Sequence, residues 1–193
     1  MKNILIYCGS SYGTNEIYNK TAKQVGEVLA KQDLRMIYGG GKAGLMGTVA
    51  DAVLENGGEV IGIIPSFMEV WEVQHTGLTE CIVVESMHVR KQLMAERANG
   101  VVALPGGWGT LDELFEILTW RQIGLHRMPV GLLNTNGFYD DLIMMMNKMV
   151  SEGFVRAVNL NFLIIDDNIE SLLEKMRNDA TEGEIIGKRI ERA

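Results

Sequence analysis

Two short stretches hold the residues best suited to chemistry. The first is Pro105-Gly106-Gly107-Trp108-Gly109-Thr110-Leu111-Asp112-Glu113, a glycine turn that runs straight into carboxylates. Helical spacing puts Glu113, Glu116 and Trp120 on one face, with Asp112 beside Glu116. Carboxylates at the mouth of a glycine turn can activate water or stabilise a developing cation. A local reading competes: Thr110 as N-cap with Glu113 three residues on makes a capping box. The second stretch is Ser86-Met87-His88-Val89-Arg90-Lys91, which opens a helix with Ser86 as N-cap. Arg90 and Lys91 then sit at the positive end of the helix dipole, the wrong end for cations, at a cost of up to ~1 kcal/mol. An arginine so placed suits bidentate recognition of phosphate.

Three glycine-rich turns each follow a strand pattern: Cys8-Gly9-Ser10-Ser11, Gly39 through Gly47, and Pro105 through Thr110. Glycine lets backbone N–H groups approach a ligand, and helix N-termini favour anions. Together Gly9, Ser10, Gly40, Gly41, Gly107, Trp108 and Gly109 predict a phosphate cradle. Gly39, Gly41 and Gly44 formally satisfy the dinucleotide fingerprint. However, the motif follows the second strand rather than the first, and its candidate ribose acid, Glu59, begins a strand instead of ending one. That argues against NAD. Gly41-Lys42 is no Walker A either, because Ala43 stands where Ser or Thr is needed.

The remaining composition narrows the classes. The net charge is −7 over 193 residues, so the chain has no general attraction to nucleic acid or anionic lipid. His75, His88 and His126 lack ligand-like spacing, and no metal is expected. Cys8 and Cys81 read as buried thiols rather than a disulfide framework. Met1-Lys2-Asn3 before Ile4-Leu5-Ile6-Tyr7 reads as a first strand rather than a signal peptide. No apolar run reaches the ~18 residues of a membrane span, and a cytoplasmic protein is expected.

The elements that must position these residues alternate. Strands are expected at Asn3–Tyr7, Leu34–Tyr38, Glu59–Ile64, Glu80–Val84, Gly100–Leu104, Val130–Leu133 and Phe162–Ile165. Helices are expected at Asn15–Gln32, Leu45–Glu55, Met87–Ala98, Leu111–Ile123, Tyr139–Ser151 and Glu170–Arg177. The alternation predicts an α/β fold: one domain over residues 1–193, Rossmann-like, with a parallel sheet covered by helices on both faces. Ligands in such sheets bind beyond the carboxyl ends of the strands, where the three turns gather. In the helix after Pro105, the apolar stripe is Leu111, Leu114, Phe115 and Leu118. Ile117 and Trp120 lie off it, as a subunit interface would explain. The run Leu142–Val150, with Met144, Met145, Met146 and Met149, suits a core helix or an interface.

These motifs resemble one family. Pro105–Glu113 resembles the PGGxGTxxE signature of the LOG ("Lonely Guy") proteins, often labelled lysine decarboxylases. Met87–Lys91 resembles their M-H-x-R-K, Gly39–Gly47 their GGGxxGLMG, and Cys8–Ser11 their opening turn. Glu72-Val73-Gln74-His75 and Leu78-Thr79-Glu80 also fit, and the resemblance spans residues 3 to about 180. It implies a Rossmann-like dimer that hydrolyses the N-glycosidic bond of cytokinin riboside 5′-monophosphates, and often AMP, without a cofactor. Carried over, it makes Arg90 and Glu113 the catalytic pair. Substrate contacts would come from Glu72, Lys91, Gly107, Trp108, Gly109, Thr110, Leu111, Asp112 and Thr119. The family often has Glu where this chain has Asp112, a change that keeps the charge and shortens the reach. Nothing in the sequence marks a pyridoxal-phosphate lysine with its partner groups. The alternative is a module that binds nucleotides or molybdenum cofactor without hydrolysis.

Overall fold

The computed structural model describes residues 1–69 and 74–179. Its strands are β1 (Asn3–Tyr7), β2 (Arg35–Tyr38), β3 (Val60–Pro65), β4 (Glu80–Val84), β5 (Gly100–Ala103), β6 (Val130–Leu133) and β7 (Leu163–Asp166). Its helices are α1 (Glu16–Lys31), α2 (Gly44–Glu55), α3 (Ser66–Glu69), α4 (Met87–Arg97), α5 (Trp108–Gln122), α6 (Asp140–Ser151), α7 (Ala157–Leu160) and α8 (Ile169–Arg177). A single 3₁₀ turn covers Thr135–Gly137. Every expected strand and helix forms within one residue of its expected bounds, except α5, which begins three residues early.

The strands form one parallel sheet in the order β4-β3-β2-β1-β5-β6-β7. Alternation along β1 explains the two-faced core. Ile4 and Ile6 point to one cluster, with Val25 and Leu29 of α1, Val49 and Val53 of α2, and Leu172 and Leu173 of α8. Leu5 and Tyr7 point to the other, with Met94 of α4 and Leu114 and Ile117 of α5. Both faces are covered, so the central strands read as continuous apolar runs.

The order in which strands are added reverses at the centre of the sheet. From β1 the chain crosses to β2 on one side; from β5 it crosses to β6 on the other. The turns after β1 and β5 therefore flank the switch-point crevice where such sheets bind ligands. They touch each other, with Gly9 N donating to Pro105 O at 3.1 Å. A cavity of about 290 Å³ opens there, lined in part by Gly9, Ser10, Gly107, Tyr18 and Phe138.

Three expectations need correction. Ile117, expected off the core stripe of α5, is buried beside Leu114, whereas Phe115 and Leu118 are only half-buried. No residue of α6 is buried, so the methionine run is not a core helix, and Met144 and Met145 are exposed. Cys8 is buried, but Cys81 is only half-buried and accepts from Gln74 Nε2 at 3.0 Å. Among the described residues, no helix is long and apolar enough to cross a membrane.

Candidate active site

The turn after β5 does not build the expected capping box. α5 starts at Trp108 with Gly107 as its N-cap, and no side chain caps it. Thr110 is the third helical residue and is buried. It lies directly under Gly106, where a Cβ would come within 2.1 Å of Thr110 Oγ1 and 2.8 Å of Gly9 N. The first internal bond of α5 is Leu111 N to Gly107 O, which leaves the N–H groups of Trp108, Gly109 and Thr110 without intrahelical acceptors. Cβ atoms at Gly107 and Gly109 would meet nothing within 4 Å. Trp108 is 92% exposed. This helix end is thus open, uncapped and positively polarised.

Glu113 lies about one turn further along α5 and pairs with α4. Arg90 Nη1 donates to Glu113 Oε1 at 3.2 Å, and Arg90 Nε donates to Ile63 O of β3 at 3.1 Å. Both side chains are nearly enclosed, 10% and 14% exposed. Gly39 makes the enclosure possible: a Cβ there would lie 1.8 Å from Arg90 Nη2. Beside this pair, Lys91 Nζ donates to Asp112 Oδ2 at 2.6 Å and lies 3.4 Å from Glu116 Oε2. The two cations at the start of α4 are therefore compensated by three carboxylates from α5. Ser86 caps α4 as expected, accepting from Val89 N at 3.3 Å.

Burial sets the electrostatics. It pushes the Glu113 carboxyl above the usual glutamate range; Arg90 and Lys91 pull it back, and Asp112 and Glu116 push it up, leaving it raised. The buried Tyr7 phenol on the same face is held far above its ordinary value, first by burial and then by Glu113. For Lys91, burial favours the neutral amine, but the bonds and charges of Asp112 and Glu116 outweigh it and the ammonium is stabilised.

Residues 46–176 match a family model described as "Possible lysine decarboxylase". A cytokinin riboside 5'-monophosphate phosphoribohydrolase of Rhodococcoides fascians is 42% identical over 178 residues, 92% of this chain and 90% of that protein. The cytokinin riboside 5'-monophosphate phosphoribohydrolase LOG2 of Arabidopsis thaliana is 41% identical over 173 residues, 90% of this chain and 81% of that one. The chain belongs to the LOG family. The molybdenum cofactor binding protein of Rippkaea orientalis superposes with a TM-score of 0.69, covering 92% of this chain and 97% of that one. Its sequence is only 22% identical, so the likeness is one of fold.

Within this LOG chain the structure gathers most of the residues expected from the sequence, but not all. Arg90, Lys91, Asp112 and Glu113 form one cluster. Gly9, Ser10 and Gly107 line one crevice. Leu111 is half-buried against the α5 face of the core. Gly40 and Gly41 are engaged by the chain itself: Gly40 O accepts from His75 N at 2.9 Å, and Gly41 bridges Gln74. Thr119 bonds Phe115 O and lies about 16 Å along α5 from Trp108 at 1.5 Å per residue. Glu72 falls outside the described residues. Sequence reasoning missed Gly39 as the seat of Arg90 and Ile63 O as its acceptor. The triple glycine after β2 was the available signal for the first; a backbone acceptor leaves none.

Proposed function

We propose that the protein hydrolyses the N-glycosidic bond of purine riboside 5′-monophosphates, including AMP and its N6-prenylated analogues, to free base and ribose 5-phosphate. The observation that carries this reading is the enclosed Arg90–Glu113 pair on α4 and α5, with the uncapped N-terminus of α5 one turn away. The 5′-phosphate binds the N–H groups of Trp108, Gly109 and Thr110, with Gly9 and Ser10 across the crevice. The bond from C1′ to the base nitrogen breaks through an oxocarbenium-like state, as in glycoside cleavage. Glu113 stabilises that cation and takes a proton from the water that adds to C1′. Arg90 holds Glu113 ionised and in place, and the proton that Glu113 takes from the water passes to the departing base nitrogen, so that one water is consumed and the carboxylate is restored. Water is the only co-reactant, so the reaction needs no cofactor or metal. Lysine decarboxylation fits poorly. Imine chemistry needs a neutral amine, whereas Asp112 and Glu116 keep Lys91 charged.

We also propose that the enzyme is a cytoplasmic, one-domain homodimer. Exposed Ile123, Leu125, Met144, Met145 and Phe154 supply apolar surface for a second copy. Sedimentation should give twice the 21.4 kDa chain mass. Incubation with AMP and with an N6-prenylated analogue, assayed for free base, tests the activity. Tight binding of nucleotide without product would instead favour a carrier module.

A further inference from the structure

His75 is buried, yet no step above uses it. Its Nδ1 accepts the backbone N–H of Gly77 at 3.0 Å. A backbone N–H only donates, so the ring proton is on Nε2, which donates to Asp51 Oδ1 at 2.9 Å. Both ring nitrogens are therefore satisfied in the neutral form. The backbone around His75 is tied to the turn after β2: His75 N donates to Gly40 O at 2.9 Å, and Gln74 forms an antiparallel bridge with Gly41. Asp51 stands on α2, the helix that leaves this same turn. The imidazole thus joins the 74–77 segment to α2, about two turns beyond the loop it lies across.

That loop forms the wall behind Arg90. Gly39 abuts the Arg90 Nη2, while Ile63 O holds Nε and Glu113 holds Nη1. If the loop moves, the guanidinium loses its backing and its aim at Glu113.

We propose that His75 is a positioning residue which, latched to Asp51, holds the Gly39–Gly41 loop against the Arg90 guanidinium. The catalytic half of this inference rests on the hydrolase reading; the geometric half does not. Loss of the latch frees Arg90, and Glu113 then sits among Lys91, Asp112, Glu116 and Tyr7 without its guanidinium. Arg90 lowers the Glu113 pKa, so its departure moves the acid limb of activity to higher pH.

The experiment compares H75L, H75Q and D51A with the parent. Leucine fills the ring's space without bonding, whereas glutamine carries an Nε2 that can still reach Asp51. Asp51 is half-exposed on its helix, so D51A keeps the fold even if H75L does not. The first readout is hydrogen exchange at the Arg90 Nε–H by NMR, assigned by its disappearance in R90K. Exchange is expected to speed at least about tenfold in H75L and D51A and to stay near parental in H75Q. The second is base release from AMP against pH. It should fall by about ten- to a hundredfold in H75L and D51A, with the acid limb shifted upward, and recover in H75Q. Parental exchange and an unmoved limb in D51A would overturn the proposal, as would equal loss in H75Q and H75L. A parent that releases no base would sink the hydrolase reading alone and leave the exchange result to decide the latch.

Discussion

Arg90 Nη1 meets Glu113 Oε1 at 3.2 Å although 23 residues separate them, and this contact joins two helices across the carboxyl edge of the sheet. It accounts for the oddity of the sequence: the cation Arg90, at the unfavourable end of the α4 dipole, has its partner in a carboxylate near the start of α5.

Removing one member of a nearly enclosed ion pair leaves the other charge buried. Arg90→Ala should therefore destabilise the protein by about 3 kcal/mol or more, because Glu113 and Ile63 O both lose their donor. Lysine at the same position keeps the charge but offers its donors from a single nitrogen in place of the guanidinium fork, so R90K should lie between. Chemical denaturation of the three proteins measures this order.

The raised Glu113 pKa has a readable sign. In the proposed hydrolysis the carboxylate is the working form, so activity should be lost as pH falls through a value above the ordinary glutamate range of about 4.3. Glu116 pushes that value up, so Glu116→Gln should move the acid limb to lower pH. A profile of kcat/KM against pH for the parent and E116Q checks both statements.

Much of this was legible in advance. All seven strands were: the central ones, covered on both faces, are continuous apolar runs, and the partly exposed edge strands β4 and β7 still carry short apolar runs. The Arg90–Lys91 pair announced a site by breaking the dipole rule. What misled was local. Thr110 and Glu113 have capping-box spacing, yet a glycine N-cap frees the helix to start three residues earlier, which carries Thr110 under Gly106 and Glu113 round to Arg90. Partners 21 and 23 residues apart leave no periodic trace. The short α3 and α7 are single turns, too brief to show a period. The fingerprint glycines around Gly39 looked like a nucleotide cradle, but Gly39 makes room for the protein's own arginine.

Glycines of the signature should separate by role. Gly106→Ala pushes a Cβ into Thr110 and Gly9 and should cost about 1–3 kcal/mol. Gly109→Ala meets nothing and replaces a poor helix former, so stability should hold or rise by up to about 1 kcal/mol. In the proposed binding mode the new methyl group stands where the phosphate approaches, so KM for AMP should rise in G109A. Melting curves and Michaelis kinetics for the two variants separate packing from binding.

The central claim is that Glu113, held by Arg90, cuts the glycosidic bond. Its most direct test is release of free base and ribose 5-phosphate from AMP by the parent and by Glu113→Gln. Expected are equimolar products from the parent, a fall of at least about a hundredfold in E113Q, and a retained fold with reduced thermal stability, since glutamine still accepts from Arg90 but no longer offsets its charge. An E113Q protein that released base at the parental rate would contradict it.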